Sequence, residues 1–176
     1  MKLTTEQLAI ISGFMSGVDA ESHRMAIKLG LRTIAVMPCG IDYIHPENQA
    51  DLYEEILSNE GLILSEFEGD FKPKSWTYPK RNRIVAGLSR AVLVVEASRN
   101  SGSLITARMA NSYGRKVFVV PGSIFSNLSE GKTQISNEFA INIDSGFSIN
   151  EFFGFGSGTS TYKNEKKSDF GNNVIL

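Results

Sequence analysis

The sequence has little cysteine, little histidine and no long apolar run. A single cysteine, Cys39, excludes an intramolecular disulfide, and there is no CxxC pair or Cys/His cluster to hold zinc. His23 and His45 lack the Ser/His/Asp or metal-ligand spacing that indicates catalysis. No stretch approaches the roughly 18 apolar residues of a membrane span, and Glu6 interrupts the segment that a signal peptide would occupy. These absences favour a cytoplasmic protein with no metal, no cofactor and no membrane partner.

Charge is close to balanced overall but is unevenly distributed. The 18 Lys and Arg against 19 Asp and Glu give a net charge of −1. Residues 47–71 carry eight acids and no base, whereas residues 72–116 carry ten bases and one acid. Phe71, Trp76 and Tyr78 are interleaved with the first of those bases, and this combination of positive charge and aromatic rings is typical of single-strand nucleic-acid binding. A solvated basic face, or pairing with the acidic stretch, explains the same charges, so both interpretations stay open.

The order of the apolar segments predicts the fold. Short runs that are apolar on both faces suit strands of a buried parallel sheet, and they occur at Ala9–Ser12, Thr33–Met37, Leu62–Ser65, Ala91–Glu96 and Lys116–Val120. Amphipathic stretches of helical length alternate with them, at Val18–Leu29, Pro46–Asn59, Pro79–Leu88 and Ser103–Tyr113. This order predicts an α/β, Rossmann-like, doubly wound and mainly parallel sheet with helices on both faces.

Beyond Pro121 the pattern weakens. Ile141–Ile143 is consistent with an edge strand and Ile149–Phe153 with a helical turn. From Gly154 onwards Gly, Ser, Asn and Lys predominate, so we expect one domain over 1–153 and a flexible polar tail over 154–176, outside the core.

Three loops follow predicted strands and carry glycine or hydroxyl side chains. In a parallel sheet such loops lead to helix N-termini, whose free N–H groups attract anions. Glycine and serine are also ordinary turn and N-cap residues, so one loop alone is weak support. Three loops at one edge favour a shared anion-binding cleft. The candidate residues are Ser12, Gly13, Gly17, Gly40, Ser101, Gly102, Ser103 and Thr106.

Other features support no separate chemistry. Asp19 and Asp42 suit either a ribose contact or capping of local N–H groups, and capping is the default. Glu130–Thr133 is similar to the end of a Walker A loop, but Ser126 stands at its upstream glycine position. His23 fits a buried, hydrogen-bonded helix residue as well as any other role. We therefore predict no catalytic residue.

Six motifs occur in an order that resembles a known family. They are SGFMSGVDAESH (12–23), TIAVMPCGIDYIHPEN (33–48), SEFE (65–68), YPKRNRIVAGLS (78–89), VVEASRNSGSLITA (94–107) and GRKVFVVPGS (114–123). Over about residues 9–140 this series resembles the DprA family of bacterial DNA-processing proteins. The blocks RNRIVAGLS and SGSLITA are the most specific.

The resemblance implies a function. Members of the family bind and protect single-stranded DNA, form homodimers and load the RecA recombinase in natural transformation and recombination, without catalytic turnover. It implies base stacking by Tyr78 and positive charge from Lys80, Arg81 and Arg83, with Arg83 suited to be a buried anchor. Together with the charge pattern, the predicted DNA-binding residues are Lys74, Tyr78, Lys80, Arg81, Arg83 and Arg99.

One departure from the family is large. Relatives have a strand, a Gly-Ser-Arg loop and a helix before the segment beginning at Ser12, whereas about eight residues stand before the first predicted strand here. The resemblance therefore predicts an N-terminally truncated domain, or one completed by a neighbouring chain.

Two rival functions remain. One is a nucleotide-binding protein, or an enzyme that releases the base from nucleoside monophosphates, although such relatives carry a PGGxGTxxE signature where this chain has EASRNSGSLITA. The other is an inactive remnant of the family.

Overall fold

The structure is a computed structural model that describes residues 8–123, 125–143, 146–154 and 173–175. Seven strands occupy Leu8–Ser12 (β1), Arg32–Val36 (β2), Leu62–Leu64 (β3), Ala91–Val94 (β4), Lys116–Val119 (β5), Ile141–Asn142 (β6) and Asn173–Ile175 (β7). Six α-helices occupy Val18–Lys28 (α1), Ala50–Ser58 (α2), Thr77–Leu88 (α3), Gly102–Ser112 (α4), Glu130–Glu138 (α5) and Gly146–Phe152 (α6). Short 3-10 turns precede α2, at Glu47–Gln49, and α5, at Asn127–Ser129.

The strands form one parallel sheet with the order β3-β2-β1-β7-β4-β5-β6. The chain runs outward from β1 to β3, crosses back to β4 and runs outward again to β6. Such a reversal places the carboxyl ends of β1 and β4 on either side of a crevice, which is where open α/β sheets bind their ligands. The predicted Rossmann-like α/β fold is confirmed.

Each half of the sheet has its own main buried cluster, and two smaller clusters join elements of both halves. In the first half, Phe14, Ala35, Met37, Leu52 and Ile56 pack between the sheet and helices α1 and α2. The second half has a larger cluster between β4, β5 and helices α3, α4 and α5, which contains Ala86, Val92, Val94, Leu104, Ala107, Val117, Val119 and Ile135. A parallel sheet that is covered on both faces requires strands that are apolar on both faces. The sequences of β1, β2, β4 and β5 meet this requirement, and these strands contribute to the buried clusters or lie beside them.

Local sequence signals explain both ends of α4. Ser101 caps α4 by accepting a hydrogen bond from the Ser103 amide at 3.2 Å. Gly114 follows α4 with φ of 71°, the left-handed conformation that ends a helix. The predicted and observed helices at α1, α2, α3 and α4 agree within a few residues at each end.

The carboxyl-terminal part differs from the prediction. Helix α5 forms where the periodicity weakens, and Lys132 within it is buried and donates to the Val95 carbonyl oxygen at 2.8 Å. Residues 173–175 form β7 at the centre of the sheet, whereas the sequence predicted a tail wholly outside the core. The rest of that predicted tail, at 155–172 and 176, lies outside the described residues. Among the described helices, none combines the length and the apolarity needed to cross a membrane.

Candidate nucleic-acid interface

A cleft of about 1040 Å³ lies at the carboxyl ends of β1 and β4. Its lining includes the first glycine loop (residues 12–19), the second glycine loop (residues 98–103) and one face of α3. Two of the three loops predicted from the sequence therefore meet at one site. The predicted residues that line the cleft are Ser12, Gly13, Gly17, Tyr78, Arg81, Ser101, Gly102, Ser103 and Thr106.

The first glycine loop is closed by its own hydrogen bonds. The Asp19 carboxylate accepts from the amides of Gly13 and Met15, each at 3.1 Å. These two loop amides therefore already donate to the Asp19 carboxylate and are not free to bind an external anion. Asp19 is the capping residue that the sequence favoured.

Arg81 is buried beneath the same loop. The residue is 3% exposed, and its guanidinium donates to the carbonyl oxygens of Gly13 and Val36. Burial lowers the pKa of Arg81 to about 10, and the nearby Asp19 opposes that shift. A Cβ at Gly13 would lie 2.5 Å from the Arg81 guanidinium, so the glycine is required by this close approach. The buried anchor of the RNR block is therefore Arg81, and the expectation that Arg83 would fill this role is wrong.

Asn82 connects the two loops. Its side-chain oxygen accepts from Arg81 Nε at 3.1 Å, and its Nδ2 donates to the Gly102 carbonyl oxygen at 3.3 Å. The second loop is the more exposed of the two: Gly102 and Ser103 are exposed at the first turn of α4, and Thr106 is buried one turn later. The second loop thus presents backbone and a hydroxyl to solvent at the positive end of a helix dipole.

The third predicted loop does not share the cleft. Gly40 lies outside the cleft lining, and its amide donates to the Phe71 carbonyl oxygen at 2.9 Å. A Cβ at Gly40 would lie 2.0 Å from the Gly69 carbonyl oxygen. Gly40 therefore permits close packing against the segment at 68–71, which corrects its predicted role in an anion-binding cleft.

The start of α3 carries the predicted DNA-binding side chains in two groups. Tyr78 lines the cleft and its hydroxyl hydrogen-bonds His45 Nε2 at 2.9 Å. Burial raises the pKa of Tyr78. Lys74 and Lys80 are exposed and lie outside the cleft lining, just before α3 and in its first turn respectively.

The other two predicted arginines also lie outside the cleft lining. Arg83 is exposed and forms an ion pair with Glu66. Arg99 is exposed in the second glycine loop, next to the cleft residue Ser98. The six predicted residues therefore lie in three places. Tyr78 and Arg81 line the cleft, whereas Lys74 and Lys80 are exposed near the start of α3. Arg83 and Arg99 are exposed elsewhere on the surface.

His23 is a fully buried helix residue. Its Nδ1 lies 2.6 Å from Thr33 Oγ1, and that hydroxyl donates to the Ile10 carbonyl oxygen at 3.0 Å. Since the hydroxyl proton is used there, Nδ1 carries the proton that the Thr33 oxygen accepts. Burial lowers the pKa of His23 to about 4, so the ring is neutral near neutral pH. This geometry matches the structural role that the sequence allowed.

Sequence reasoning passed over two residues. Asn82 stands inside the quoted RNR block, four residues after Tyr78, and that helical spacing was the available signal for a shared face. Phe67 lies in the acidic stretch, yet its ring stacks on Phe71 with centroids 4.9 Å apart.

Among the described residues, no group of three His, Cys, Asp or Glu side chains is arranged to hold a metal ion.

Comparison with known proteins agrees with this fold. The family model described as DNA recombination-mediator protein A matches residues 1–154. The protein Smf from Synechocystis is 48% identical over 121 residues, which cover 69% of this chain and 30% of that protein. The X-ray structure of DNA processing protein A from Streptococcus pneumoniae superposes with a TM-score of 0.77 at 38% identity, covering 84% of this chain and 52% of that one.

A second solved structure extends the comparison. DNA processing protein A from Helicobacter pylori, whose structure concerns its single-stranded DNA binding mode, superposes with a TM-score of 0.65 at 28% identity. That match covers 85% of this chain and 80% of the other. The chain spans about half or less of the length of three curated relatives, namely 30%, 41% and 52%. Since the family model accounts for most of its residues, the chain belongs to the DNA recombination-mediator protein A family.

Proposed function

We propose that this protein binds single-stranded DNA across the mouth of the cleft, as a DprA-type factor of transformation and recombination. The observation that carries the proposal is the start of α3, which directs Tyr78 into the cleft and leaves Lys74 and Lys80 exposed beside it. Membership of the family and the single-stranded DNA binding of the Helicobacter pylori relative support it.

The parts of the interface have different tasks in this proposal. Lys74, Lys80 and Arg99 neutralise phosphates, while the exposed first turn of α4 places the positive end of its helix dipole towards another phosphate. Tyr78 presents a ring to an unpaired base. Arg81 and Asn82 hold the two glycine loops in place and have no contact with DNA. Because phosphate contacts and stacking tolerate every base, sequence preference is weak.

Salt dependence tests the proposal. For the wild-type protein, log affinity for oligo-dT falls linearly with log salt, with a slope of about −0.7 per phosphate contact. Lys74→Ala with Lys80→Ala flattens that slope by about two contacts. Lys116→Ala is the control, because this exposed lysine begins β5 and so lies at the amino-terminal end of the strands, away from the cleft at their carboxyl ends. A folded preparation that retains no oligo-dT at low salt would overturn the proposal.

Two partners accompany this proposal. The resemblance to DprA supports two interactions: loading of RecA onto the bound single strand, and pairing with a second copy of this chain. Both interactions would take place in the cytoplasm. Faster assembly of RecA on oligo-dT in the presence of the protein, and a dimer mass in analytical ultracentrifugation, are the expected results. Unchanged RecA assembly or a monomer at high concentration would contradict the respective claim.

We also propose binding without turnover. The carboxylates that line the cleft support this view, since Asp19 already accepts two backbone hydrogen bonds, Glu21 pairs with Arg24 and Glu96 is solvent-exposed. The competing activity is hydrolysis of nucleoside monophosphates to release the base. Base release that disappears in Glu96→Gln would establish the competing enzyme instead.

A further inference from the structure

An aromatic cluster lies beside the cleft, outside the four buried cores of the described residues. Phe67 and Phe71 stack with an interplanar angle of 11° and centroids 4.9 Å apart. Trp76 stands steeply against both phenyl rings, at 5.8 Å and 71° from Phe67 and at 6.2 Å and 66° from Phe71. We call Phe67, Phe71 and Trp76 the aromatic platform.

Backbone hydrogen bonds hold the platform in a defined position. The Phe67 amide donates to Ser65 Oγ at 2.9 Å, and the Ser65 hydroxyl donates to the Cys39 carbonyl oxygen at 2.6 Å. The Asp42 amide donates to the Gly69 carbonyl oxygen at 3.0 Å. Together with the close approach at Gly40, these bonds tie the loop that bears both phenylalanines to the loop after β2. A preorganised surface loses little entropy when a ligand stacks on it.

Trp76 is the accessible ring of the platform. Its side chain is 49% exposed, although an indole is the largest apolar side chain a protein has to bury. Phe67 and Phe71 are half-buried, with their facing sides occupied by one another. Both phenyl rings pack against Trp76, and part of the indole stays open to solvent.

Positive charge surrounds the platform. Lys80 Nζ lies 5.3 Å from the Phe67 centroid and 5.9 Å from the Trp76 centroid, and Lys74 Nζ lies 5.3 Å from that of Phe71. The same loop also carries the exposed acids Glu68 and Asp70. Glu66 is paired with Arg83, and the ammonium groups of Lys74 and Lys80 lie directly at the rings. A ring with phosphates on both sides complements this arrangement.

We propose that Trp76 is a stacking site for an unpaired base of the single strand, with Phe67 and Phe71 as its support and Lys74 and Lys80 on the flanking phosphates. This inference rests on the proposed function and adds a base-binding position outside the cleft. Trp76 immediately precedes α3, whose residues Tyr78, Arg81 and Asn82 face the cleft. Since Trp76 stands two residues before Tyr78, we expect one strand to reach both rings.

Trp76 is the single tryptophan of the chain, so its fluorescence reports on the platform directly. Oligo-dT and an abasic oligonucleotide of equal length are titrated into the full-length protein at low salt. Oligo-dT is expected to quench the tryptophan emission at saturation, whereas the abasic backbone binds through its phosphates and leaves the emission nearly unchanged. Binding itself is followed separately by fluorescence anisotropy of a label on the oligonucleotide.

Substitution measures the contribution of stacking. Trp76→Leu is expected to weaken oligo-dT binding by roughly five- to hundredfold, the range for loss of one stacked base, and to leave abasic binding unchanged. Trp76→Phe loses less, because it retains a ring. Tyr113→Leu is the matched control: Tyr113 is 48% exposed, beyond the end of α4 and outside the cleft lining. Circular dichroism melting checks that each variant is folded.

The outcomes separate the two proposals. Retention of oligo-dT with unquenched emission, or with equal affinity in a folded Trp76→Leu variant, overturns the platform and leaves the proposed function standing. Equal weakening of oligo-dT and abasic binding in Trp76→Leu also overturns it, since stacking acts on bases alone. Failure of the wild-type protein to retain either oligonucleotide overturns the proposed function and the platform together.

Discussion

The two glycine loops of the cleft have similar sequences and different settings. In the first loop, the amides of Gly13 and Met15 donate to Asp19, and the Gly13 carbonyl oxygen accepts from the buried Arg81. In the second loop, Gly102 and Ser103 are exposed and one amide is capped by Ser101. Glycine in the first loop permits close packing within the protein, whereas in the second it leaves backbone open at a helix start. Similar motifs can therefore hold a fold together or face a ligand, depending on which partners the rest of the chain provides.

The largest expected effect comes from removing the anchor of the first loop. Arg81→Met leaves the buried carbonyl oxygens of Gly13 and Val36 without their donor, which costs roughly 2–5 kcal/mol of unfolding free energy. Urea denaturation measures the loss.

Arg83→Met is its matched control, two residues along the same helix. The Arg83–Glu66 pair is exposed, so its removal costs about 0–1 kcal/mol. Equal destabilisation by the two substitutions would contradict the assignment of Arg81 as the anchor.

These two arginines show where sequence reasoning stops. The RNR block, the order of strands and helices and the convergence of two loops at one sheet edge were predictable, because they depend on local periodicity and on the topology of parallel sheets. Which arginine is buried depends on the rotation of α3 against β1 and β2, a tertiary property. Gly40 was misassigned for a similar reason, since its neighbour at 69 is distant in sequence.

Helix α5 and strand β7 were missed for other reasons. In α5, Gly131 and Lys132 are buried by contacts with the loop after β4, so the helix has a weak apolar stripe. Strand β7 contains only three residues in a polar part of the sequence, and its place is fixed by pairing with Leu8–Ile10 of β1. Long-range pairing of so short a segment leaves no periodic signal.

A pH-dependent loss of stability is expected on the side of the first loop. His23 contacts the Phe14 ring of that loop at 6.1 Å between centroids, and burial lowers its pKa from 6.5 to about 4. The unfolded chain thus binds a proton at a higher pH than the folded chain does. Stability is complete above pH 6.5 and falls as the pH drops towards 4, by up to about 3 kcal/mol.

Urea denaturation over that pH range, compared with His23→Gln, measures this contribution. The variant lacks the titrating ring, so its stability should change less between neutral and acidic pH. Parallel pH profiles for the two proteins would show that His23 is not responsible.

Loss of the loop caps should give a smaller and graded effect. Asp19→Ala removes the acceptor for two amides, at a cost of about 1–3 kcal/mol. Ser101→Ala removes one exposed N-cap bond, at a cost of about 1 kcal/mol or less. Thermal melting of both variants tests whether Asp19→Ala loses more stability than Ser101→Ala. A larger loss of stability in Ser101→Ala would contradict the distinction between a closed first loop and an open second loop.

The smallest effect concerns the surface of the second loop. Arg99 is exposed and has neither an ion-pair nor a hydrogen-bond partner assigned among the described residues, so Arg99→Ala should leave the melting temperature unchanged. If the open loop contacts DNA, the same substitution lowers the salt slope for oligo-dT by about 0.7 and weakens binding to all sequences alike. Lys116→Ala, at the amino-terminal end of β5 and away from the cleft, should leave the slope intact. An unchanged slope in Arg99→Ala would mean that the exposed second glycine loop contacts phosphate no better than the closed first loop does. The DNA strand would then have to bind along α3 alone.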